Sequence, residues 1–264
     1  MPEGLEAELY RRAAERALGR TIEQVAVDDR QPWSREIESA LAGAPFTAAR
    51  RIGKRVYLDL GGRATADTLS LHFGMTGRLV VDDRAPIEAL EYSSGRDDRA
   101  WDRLVVRFED GGILRVNDPR RWARFELDPG TDRLGPDFLE VSTAHLTDAF
   151  GRRRAAVKTV LLDQSVVAGY GNMSVDEVLW QVGVSPLAPA RELPVRVVER
   201  LVGTARPHLL EMLEHGGSHR GTIDPEIRAD VSPCPRDGAP MRRDRVGGRT
   251  TIWCPAHQLT APNV

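Results

Sequence analysis

The sequence predicts an α+β protein in which an antiparallel β-sandwich with flanking helices is followed by a helical domain and a C-terminal β-hairpin. Three observations lead to this prediction. Short segments with alternating apolar residues fill most of residues 45–127, where Gly and Asp mark the turns. Segments with helical spacing occupy much of residues 146–214, and two similar knuckles containing cysteine lie near the end. We therefore expect three domains, at residues 1–130, 131–222 and 223–264.

The chain begins with a predicted helix over residues 5–18. Apolar residues recur there at every fourth position, and Gly19 can end the helix. Thr21–Val27 alternates as a strand, and Ser34 can cap a short second helix that Gly43 ends. These elements should pack against the sandwich.

The sandwich itself should contain about eight strands, because alternating segments follow each other at short spacing. Gly61-Gly62 and Asp110-Gly111-Gly112 are turn signals between them. The clearest strands are Arg55–Leu60, Thr68–Phe73, Leu104–Phe108, Ile113–Val116 and Trp122–Leu127.

Beyond residue 137 the alternation stops and helical spacing begins. Gly216-Gly217 should end the helical region, and a hairpin is expected between Cys234 and Cys254. The predicted helices are Leu146–Gly151, Ala155–Leu162, Val175–Val182 and Pro194–Glu214.

Composition and sequence pattern bear on localisation and on possible partners. No apolar run is long enough to span a membrane and no secretory signal pattern is present, so we expect a cytoplasmic protein. Two cysteines are too few for a disulfide framework. The net charge of −2 does not suggest nucleic-acid binding, although binding depends on a local basic face. Almost all basic residues are arginine, which draws attention to the two lysines, Lys54 and Lys158.

The first residues combine Pro2 with the acidic side chains Glu3 and Glu6. Once Met1 is removed, Pro2 carries a free α-amine that titrates near neutral pH, so part of it is an uncharged nucleophile. The neighbouring carboxylate can move protons. The same residues also suit a helix start, because proline favours the first turn and acidic residues favour the positive end of the dipole. On these residues alone both interpretations stay open.

The tail contains Cys234-Pro-Arg-Asp237 and Cys254-Pro-Ala-His257, which repeat a two-residue gap. This spacing lets each knuckle reach a tetrahedral zinc, and all four side chains can ligate it. The alternative is a metal-free hairpin held by packing around Ile252 and Trp253. Arginines between the knuckles, Arg249 among them, could contact phosphates or form a solvated loop.

Three further segments suit contact with a nucleic acid. Gly169-Tyr-Gly171-Asn172 brings glycines and an amide to a helix start, which can clamp a phosphate, although helix–helix turns also use glycine. Met75 within His72–Gly77, and Arg120 and Trp122 within Asn117–Trp122, could fill a gap in a base stack. Core or surface roles are the alternatives for each.

In this order and spacing, the segments resemble the bacterial formamidopyrimidine-DNA glycosylase and endonuclease VIII family of base-excision-repair enzymes. The resemblance runs from Pro2 to His257, and several motifs in sequence order are more specific than any one of them. It is carried by Pro2-Glu3 with Glu6, Gly53-Lys54, His72–Gly77, Asp118–Arg121, Leu162–Glu177 and the paired knuckles.

The resemblance implies a β-sandwich, a helix–two-turn–helix domain and a zinc-finger-like hairpin. It also implies a bifunctional enzyme that removes oxidised bases and then cleaves the strand by β- or β,δ-elimination. In the family the trimmed proline forms a Schiff base with the deoxyribose, the glutamate handles protons, and a lysine assists catalysis; Pro2, Glu3 and Lys54 match these positions. The expected partner is damaged double-stranded DNA, bound by a monomer in the bacterial cytoplasm at the nucleoid.

The resemblance also assigns residues that would hold the DNA. Met75, Arg120 and Trp122 match the residues that fill the space of the flipped nucleotide, and Asn172 and Arg249 match phosphate contacts. Cys234, Asp237, Cys254 and His257 fall on the four positions that hold one structural zinc ion.

Several positions depart from the family pattern. Trp122 makes the filling side chain bulkier than the usual phenylalanine, and Asp237 and His257 replace cysteines, which gives an atypical zinc ligand set. Leu5 and Ser174 also differ from common family residues. The stretch 216–233 lacks a recognisable lesion-capping loop, which favours oxidised pyrimidines, ring-opened purines or abasic sites over strict 8-oxoguanine specificity.

Two alternatives of other classes remain at this point. The first is a damaged-DNA-binding protein of the same fold with weak or no turnover, which the altered knuckle and the missing capping loop would favour. The second is a zinc-ribbon regulator that reads a DNA sequence, which would explain the tail but not the N-terminus.

Overall fold

A computed structural model describes residues 2–88, 90 and 95–260 of the 264-residue chain. The chain divides into two compact units, Met1–Thr131 and Asp132–Val264. None of the described helices is long and apolar enough to cross a membrane.

The first unit contains two four-stranded antiparallel sheets in its described part, which confirms the predicted sandwich. One sheet has the order β1-β6-β7-β5 and the other the order β2-β3-β4-β8. The strands are β1 (Ile22–Val27), β2 (Phe46–Ile52), β3 (Arg55–Leu60), β4 (Thr68–His72), β5 (Arg78–Val81), β6 (Asp102–Phe108), β7 (Ile113–Asn117) and β8 (Arg124–Leu127). Their apolar faces share one core that includes Phe46, Phe108 and Phe125.

Two helices flank these sheets. Helix α1 spans Gly4–Ala14, continues as a 3₁₀ turn to Ala17 and packs against β2, β3 and β5. Helix α2 spans Ser34–Leu41 and packs against β1. The buried side of α1 includes Leu5, Tyr10 and Ala14, so the predicted amphipathic helix is present, with its last turn tightened.

Two strands of the sandwich were not among the clearest sequence signals, for a physical reason. Strand β5 is buried at every position and therefore shows no alternation. Strand β2 is partly exposed along most of its length and carries Arg50 and Arg51. The strand predicted from Trp122 begins only at Arg124, because a hydrogen-bonded loop occupies the preceding residues.

The second unit is helical and ends in a hairpin. Its helices are α3 (Thr143–Gly151), α4 (Val157–Leu161), α5 (Asn172–Val182), α6 (Val195–Glu214) and α7 (Pro225–Asp230). Its strands β9 (Arg242–Val246) and β10 (Arg249–Trp253) form the predicted hairpin. Helix α7 lies beyond Gly216-Gly217, where the helical region was expected to end; Asp224 caps it and Pro225 is its first residue.

The hairpin and the helices of this unit share a small apolar cluster. Trp180 of α5 and Ile223 pack there against Met241 and Ile252. Cys234 and Cys254 belong to the same cluster. The hairpin is therefore packed against the helices.

Candidate active site and nucleic-acid interface

The start of α1 is buried. Pro2 is buried, and Glu3 has a relative exposure of 2% at the N-cap of the helix. The backbone N–H of Glu3 donates to Oε2 of Glu6 at 2.7 Å. Glu6 therefore satisfies a backbone donor at the helix start, and the two interpretations of this segment are compatible, since a capped helix holds Pro2 and Glu3 in a fixed place.

Lys54 lies in the turn between β2 and β3, and this turn is bonded to α1. Arg51 donates through Nε to Oε2 of Glu8 at 3.2 Å and through Nη1 to the carbonyl of Gly53 at 3.0 Å. Gly53 has a φ of 59°, a left-handed conformation that glycine adopts without strain. The half-buried Lys54 is thus held by a turn that is fixed to the helix carrying Pro2 and Glu3.

The contact between Glu8 and Arg51 pairs opposite charges. Burial of Glu8 acts to raise its pKa, but hydrogen bonds and charges from Arg11 and Arg51 outweigh burial and lower the pKa below its ordinary value. Glu8 therefore remains an anion that holds Arg51 in place.

The loop that carries Met75 is also fixed to α1. The hydroxyl of Tyr10 donates to the carbonyl of Gly77 at 3.2 Å, and the Tyr10 ring lies 4.4 Å from that of Phe73 between centroids. Phe73 and Gly77 flank the half-buried Met75. Helix α1 therefore contacts the Met75 loop as well as the Lys54 turn.

His72 begins the same loop and is uncharged at neutral pH. Its burial, followed by the charges of Arg55 and Lys54, lowers its pKa to about 4. Nδ1 of His72 accepts the backbone N–H of Gly74 at 3.3 Å, which requires an unprotonated nitrogen. The neutral imidazole thus supports the turn before Met75.

Asp118 organises the second loop, which carries Arg120 and Trp122. Its fully buried carboxylate accepts backbone N–H groups from Arg120 at 3.1 Å, Trp122 at 2.7 Å and Ala123 at 2.8 Å. It also accepts the hydroxyl of Thr76 at 2.5 Å. Because Thr76 adjoins Met75, this one carboxylate ties the two loops together.

Of the side chains expected to enter DNA, Arg120 and Trp122 are exposed and Met75 is half-buried. Trp122 is 49% exposed, and the guanidinium of Arg120 lies 5.7 Å from the centre of its ring. A Cβ on Gly74 would lie 2.7 Å from Cβ of Trp122, so the loops touch where Gly74 lacks a side chain. Gln31 donates to the carbonyl of Ala123 at 2.8 Å and supports the loop from behind.

The predicted residues of the first unit are thus joined by contacts that sequence reasoning missed. Tyr10, Arg51, Thr76 and Asp118 hold the loops but were not assigned roles. The signal for Asp118 was available, since aspartate commonly bonds to backbone N–H groups a few residues ahead. Thr76 and Tyr10 gave no such local signal.

In the second unit, Asn172 is the first residue of α5 and follows Gly171. Its Oδ1 is buried and has no hydrogen-bond partner among the described residues. Gly169 was expected to let the backbone approach a ligand, but a Cβ there would lie 2.2 Å from the Phe138 ring. Gly169 therefore serves packing as well as the turn.

Arg249 is exposed at the start of β10, next to the hairpin turn. The neighbouring arginines of the predicted basic hairpin are partly engaged within the protein. Arg243 donates to the carbonyls of Arg228 and Ala229 at 2.5 and 2.7 Å, and Arg245 donates to Gly248 at 3.3 Å. Only part of the expected basic hairpin is therefore available to phosphates.

The predicted metal residues come together. The ligand atoms of Cys234, Asp237, Cys254 and His257 all lie within 4.8 Å of one another. Sγ of Cys234 lies 3.6 Å from Nδ1 of His257, and Sγ of Cys254 lies 3.5 Å from Oδ2 of Asp237. Zinc bonds of about 2.0–2.3 Å give tetrahedral ligand separations of about 3.3–3.8 Å, so these two separations fit. Nδ1 of His257 and Oδ2 of Asp237 lie closer, at a hydrogen-bond distance of 2.8 Å. This group could bind a metal ion.

Two pKa shifts at the cluster have clear causes. The backbone N–H of Ala239, followed by His257, lowers the pKa of Asp237. Burial raises the pKa of the Cys254 thiol. The ring of Trp180 meets that of His257 edge-on at 5.3 Å and completes the apolar side of the cluster.

Known proteins resemble this chain along nearly its whole length. The formamidopyrimidine-DNA glycosylase N-terminal domain matches residues 1–125, and the formamidopyrimidine-DNA glycosylase H2TH domain matches residues 134–223. The formamidopyrimidine-DNA glycosylase of Jannaschia sp. (strain CCS1) is 33% identical, covering 98% of this chain and 100% of its own length. That of Halorhodospira halophila (strain DSM 244 / SL1) is 34% identical with the same coverage.

Solved structures show the same fold. The wild-type Lactococcus lactis Fpg in complex with DNA containing N7-benzyl-Fapy-dG superposes with a TM-score of 0.80 at 24% identity. The match covers 97% of this chain and 99% of that one.

Full-length identity above 30% confirms the family predicted from the motifs. The chain belongs to the formamidopyrimidine-DNA glycosylase family and is a DNA-binding DNA glycosylase.

Proposed function

We propose that this chain is a bifunctional base-excision-repair enzyme that removes oxidised bases from double-stranded DNA and cleaves the strand at the resulting abasic site. One observation carries the proposal. Helix α1, which follows the buried Pro2 and Glu3, bonds through Tyr10 to the Met75 loop and through Glu8 and Arg51 to the Lys54 turn. Asp118 links the Met75 loop to the loop of Arg120 and Trp122. A nucleophile and the residues that open the DNA stack would need such a common support.

The first step uses Pro2 as a nucleophile after removal of Met1, which lies outside the described residues. The α-amine attacks C1′ of the deoxyribose, the glycosidic bond breaks, and the base leaves with the bonding electrons. Glu3 accepts the proton of the amine and gives it to O4′ as the C1′–O4′ bond breaks, while the departing base takes up a proton from solvent. Opening of the sugar ring in this way leaves an iminium ion between Pro2 and C1′. The burial of Glu3 at the helix start keeps it beside Pro2.

The second step is elimination. The iminium ion acidifies the hydrogens on C2′, so a base removes a proton there and the C3′–O bond breaks with release of the 3′ phosphate. A second elimination can release the 5′ phosphate in the same manner. Lys54, close to the same helix, would contact the phosphates and assist these steps.

A damaged base must leave the stack before C1′ can be reached, which costs a few kcal/mol. Met75, Arg120 and Trp122 would fill the space that the nucleotide leaves and recover part of this cost. The large exposed ring of Trp122 supports the filling role. Asn172 and Arg249 would hold the phosphates, since α5 begins at Asn172 and Arg249 is exposed on the hairpin.

One structural zinc ion would be held by the four-residue cluster of the tail. Bound there, it would cross-link the two knuckles at the base of the hairpin that carries Arg249. The two thiolates and the carboxylate would more than offset its charge. The enzyme would act as a monomer in the bacterial cytoplasm.

The stretch 216–233 bears on lesion preference. Ile223 donates its N–H to the buried Glu177 at 2.8 Å, and Arg228 is buried against Asp176. This part of the stretch is packed within its unit, which supports a preference for oxidised pyrimidines, ring-opened purines or abasic sites over strict 8-oxoguanine specificity.

Labelled duplexes that each carry one lesion test the proposal. The wild-type protein should release the base and nick the strand on at least one of these duplexes. The Glu3→Gln variant should bind the same duplex with similar affinity and release no base. Binding without base release or nicking by the wild type on every lesion would contradict the proposal and favour a damaged-DNA-binding protein without turnover.

A further inference from the structure

The second lysine of the chain lies in the interior of the second unit. Lys158 of α4 has no exposed surface, and its Nζ donates to Oδ1 of Asp176 at 2.6 Å. It also donates to Oγ1 of Thr251 at 2.8 Å and to the carbonyl of Thr250 at 3.2 Å. An ammonium group has three N–H donors, and these contacts join two helices to strand β10.

Asp176 carries the network further into the hairpin. Its Oδ2 accepts Nη1 of Arg228 at 3.0 Å and the backbone N–H of Ile252 at 3.3 Å. The buried carboxylate therefore lies between two cations and bonds directly to the backbone of β10. Burial raises the pKa of Asp176, and the charges of Lys158 and Arg228 with their hydrogen bonds oppose this effect.

Thr251 connects this network to Arg249. Its hydroxyl accepts from Lys158 and donates to the carbonyl of Arg249 at 3.2 Å. At the hairpin turn, a Cβ on Gly247 would lie 2.8 Å from Oγ1 of Thr159, so the turn sits closely against α4. Arg249 is thus held on both sides, by the turn before it and by Thr251 after it.

The same network reaches the start of α5. Asn172 and Asp176 are four residues apart on one helix and therefore share a face. Helix α5 therefore carries both Asn172, one expected phosphate contact, and Asp176, whose contacts with Lys158 lead through Thr251 to Arg249, the other.

We propose that Lys158, Asp176 and Thr251 are positioning residues that fix Arg249 relative to Asn172, so that both side chains engage one DNA backbone together. The inference rests on the proposed function, because it assumes that Arg249 contacts DNA. Packing alone would also dock the hairpin, and buried ion pairs add little stability over apolar contacts of equal volume. The directional hydrogen bonds also hold the Arg249 backbone in a single position.

The test is a double-mutant cycle between Thr251→Val and Arg249→Ala in the full-length, metal-loaded protein. The readout is the dissociation constant for a duplex that contains a tetrahydrofuran abasic-site analogue. Arg249→Ala should weaken binding about tenfold, as loss of one charged contact does. Thr251→Val should weaken binding severalfold and lower the salt dependence by about one ion, but add nothing in the Arg249→Ala background.

Three further variants separate positioning from folding. Thr251→Ser retains the hydroxyl and should restore wild-type affinity, whereas Asp176→Asn should reproduce Thr251→Val. His208→Gln removes another contact of the same unit, the partly buried hydrogen bond between His208 and Glu177 at 2.8 Å, and is the matched control. It should lower the melting temperature without changing DNA affinity.

Additive effects of Thr251→Val and Arg249→Ala would overturn the inference, as would an Arg249→Ala variant that binds like the wild type. A loss of affinity in His208→Gln equal to that in Thr251→Val would also overturn it. Lesion cleavage by the wild type, measured in parallel, reports on the proposed function separately, because the coupling is read from binding alone.

Discussion

Replacing Asp118 by alanine should loosen both loops that carry the stack-filling residues. The carboxylate accepts hydrogen bonds from Thr76, Arg120, Trp122 and Ala123. Its removal leaves these donors without their acceptor. The variant is therefore a direct test of the joint support of the two loops.

The size of the stability loss depends on which of these donors can reach water after the substitution. Arg120 and Trp122 are exposed, so their N–H groups can bond to solvent after the change. Thr76 and Ala123 have no exposed surface, and each donor left unsatisfied there costs about 1–3 kcal/mol. For the two together we expect a loss of about 4 kcal/mol in the free energy of unfolding of the first unit.

The Asp118→Asn variant removes the charge of the side chain but keeps its shape. One amide oxygen can still accept from Trp122 and Ala123, and the Thr76 hydroxyl can turn to accept from the amide nitrogen. We expect this variant to lose about 2 kcal/mol, since hydrogen bonds to a charged acceptor are about twice as strong as neutral ones.

Urea unfolding of the first unit gives the stability, and single-turnover cleavage of a lesion duplex gives the function. At temperatures where Asp118→Ala remains folded, kcat/KM should fall about 10²-fold, as expected when reacting groups are displaced by about 1 Å. Asp110→Ala, which removes an exposed ion pair with Arg20, is the control and should leave cleavage unchanged. A loss below about 1 kcal/mol in Asp118→Ala, or unchanged cleavage by the folded variant, would refute the reasoning.

Three other predictions concern pH, metal and the α1 contact. The hydrogen bond that His208 donates to Glu177 raises the pKa of His208 above its ordinary value of 6.5. Wild-type stability should therefore fall as pH rises from about 6.5 through the folded-state pKa, and His208→Gln should lack this loss in thermal unfolding. Asp237→Ala should weaken zinc binding at least tenfold in a chelator competition, while an unchanged affinity would remove Asp237 from the ligand set. Tyr10→Phe leaves the carbonyl of Gly77 without its donor, so the free energy of unfolding in urea should fall by about 1 kcal/mol and the affinity for lesion DNA should also fall. Wild-type values in both measurements would show that this contact does not support the Met75 loop.

The sequence predicted roles for residues at the surface, which remain predictions, but did not reveal the residues that support them. Trp122 and the four knuckle residues could be recognised because their chemistry is visible in short motifs. The bond between Thr76 and Asp118 could not, because the two residues are 42 positions apart and only the fold brings them together.

The two lysines show the same limit. Both stood out by composition, yet Lys54 is half-buried in a turn bonded to α1, whereas Lys158 is fully buried against Asp176. Nothing local distinguishes them, since burial depends on the packing of distant segments. Strand β5 was missed for a related reason, because a fully buried strand loses the alternation that reveals strands.

The most direct test of the central claim is trapping with sodium borohydride. Wild-type protein, with loss of Met1 confirmed by intact mass, is incubated with a labelled duplex that contains an abasic site and then reduced. We expect a covalent protein–DNA adduct in which peptide mapping places the DNA on Pro2. A Pro2→Gly variant that retains Met1 should form no such adduct. An absent wild-type adduct, or one mapped to Lys54 or another residue, would contradict it.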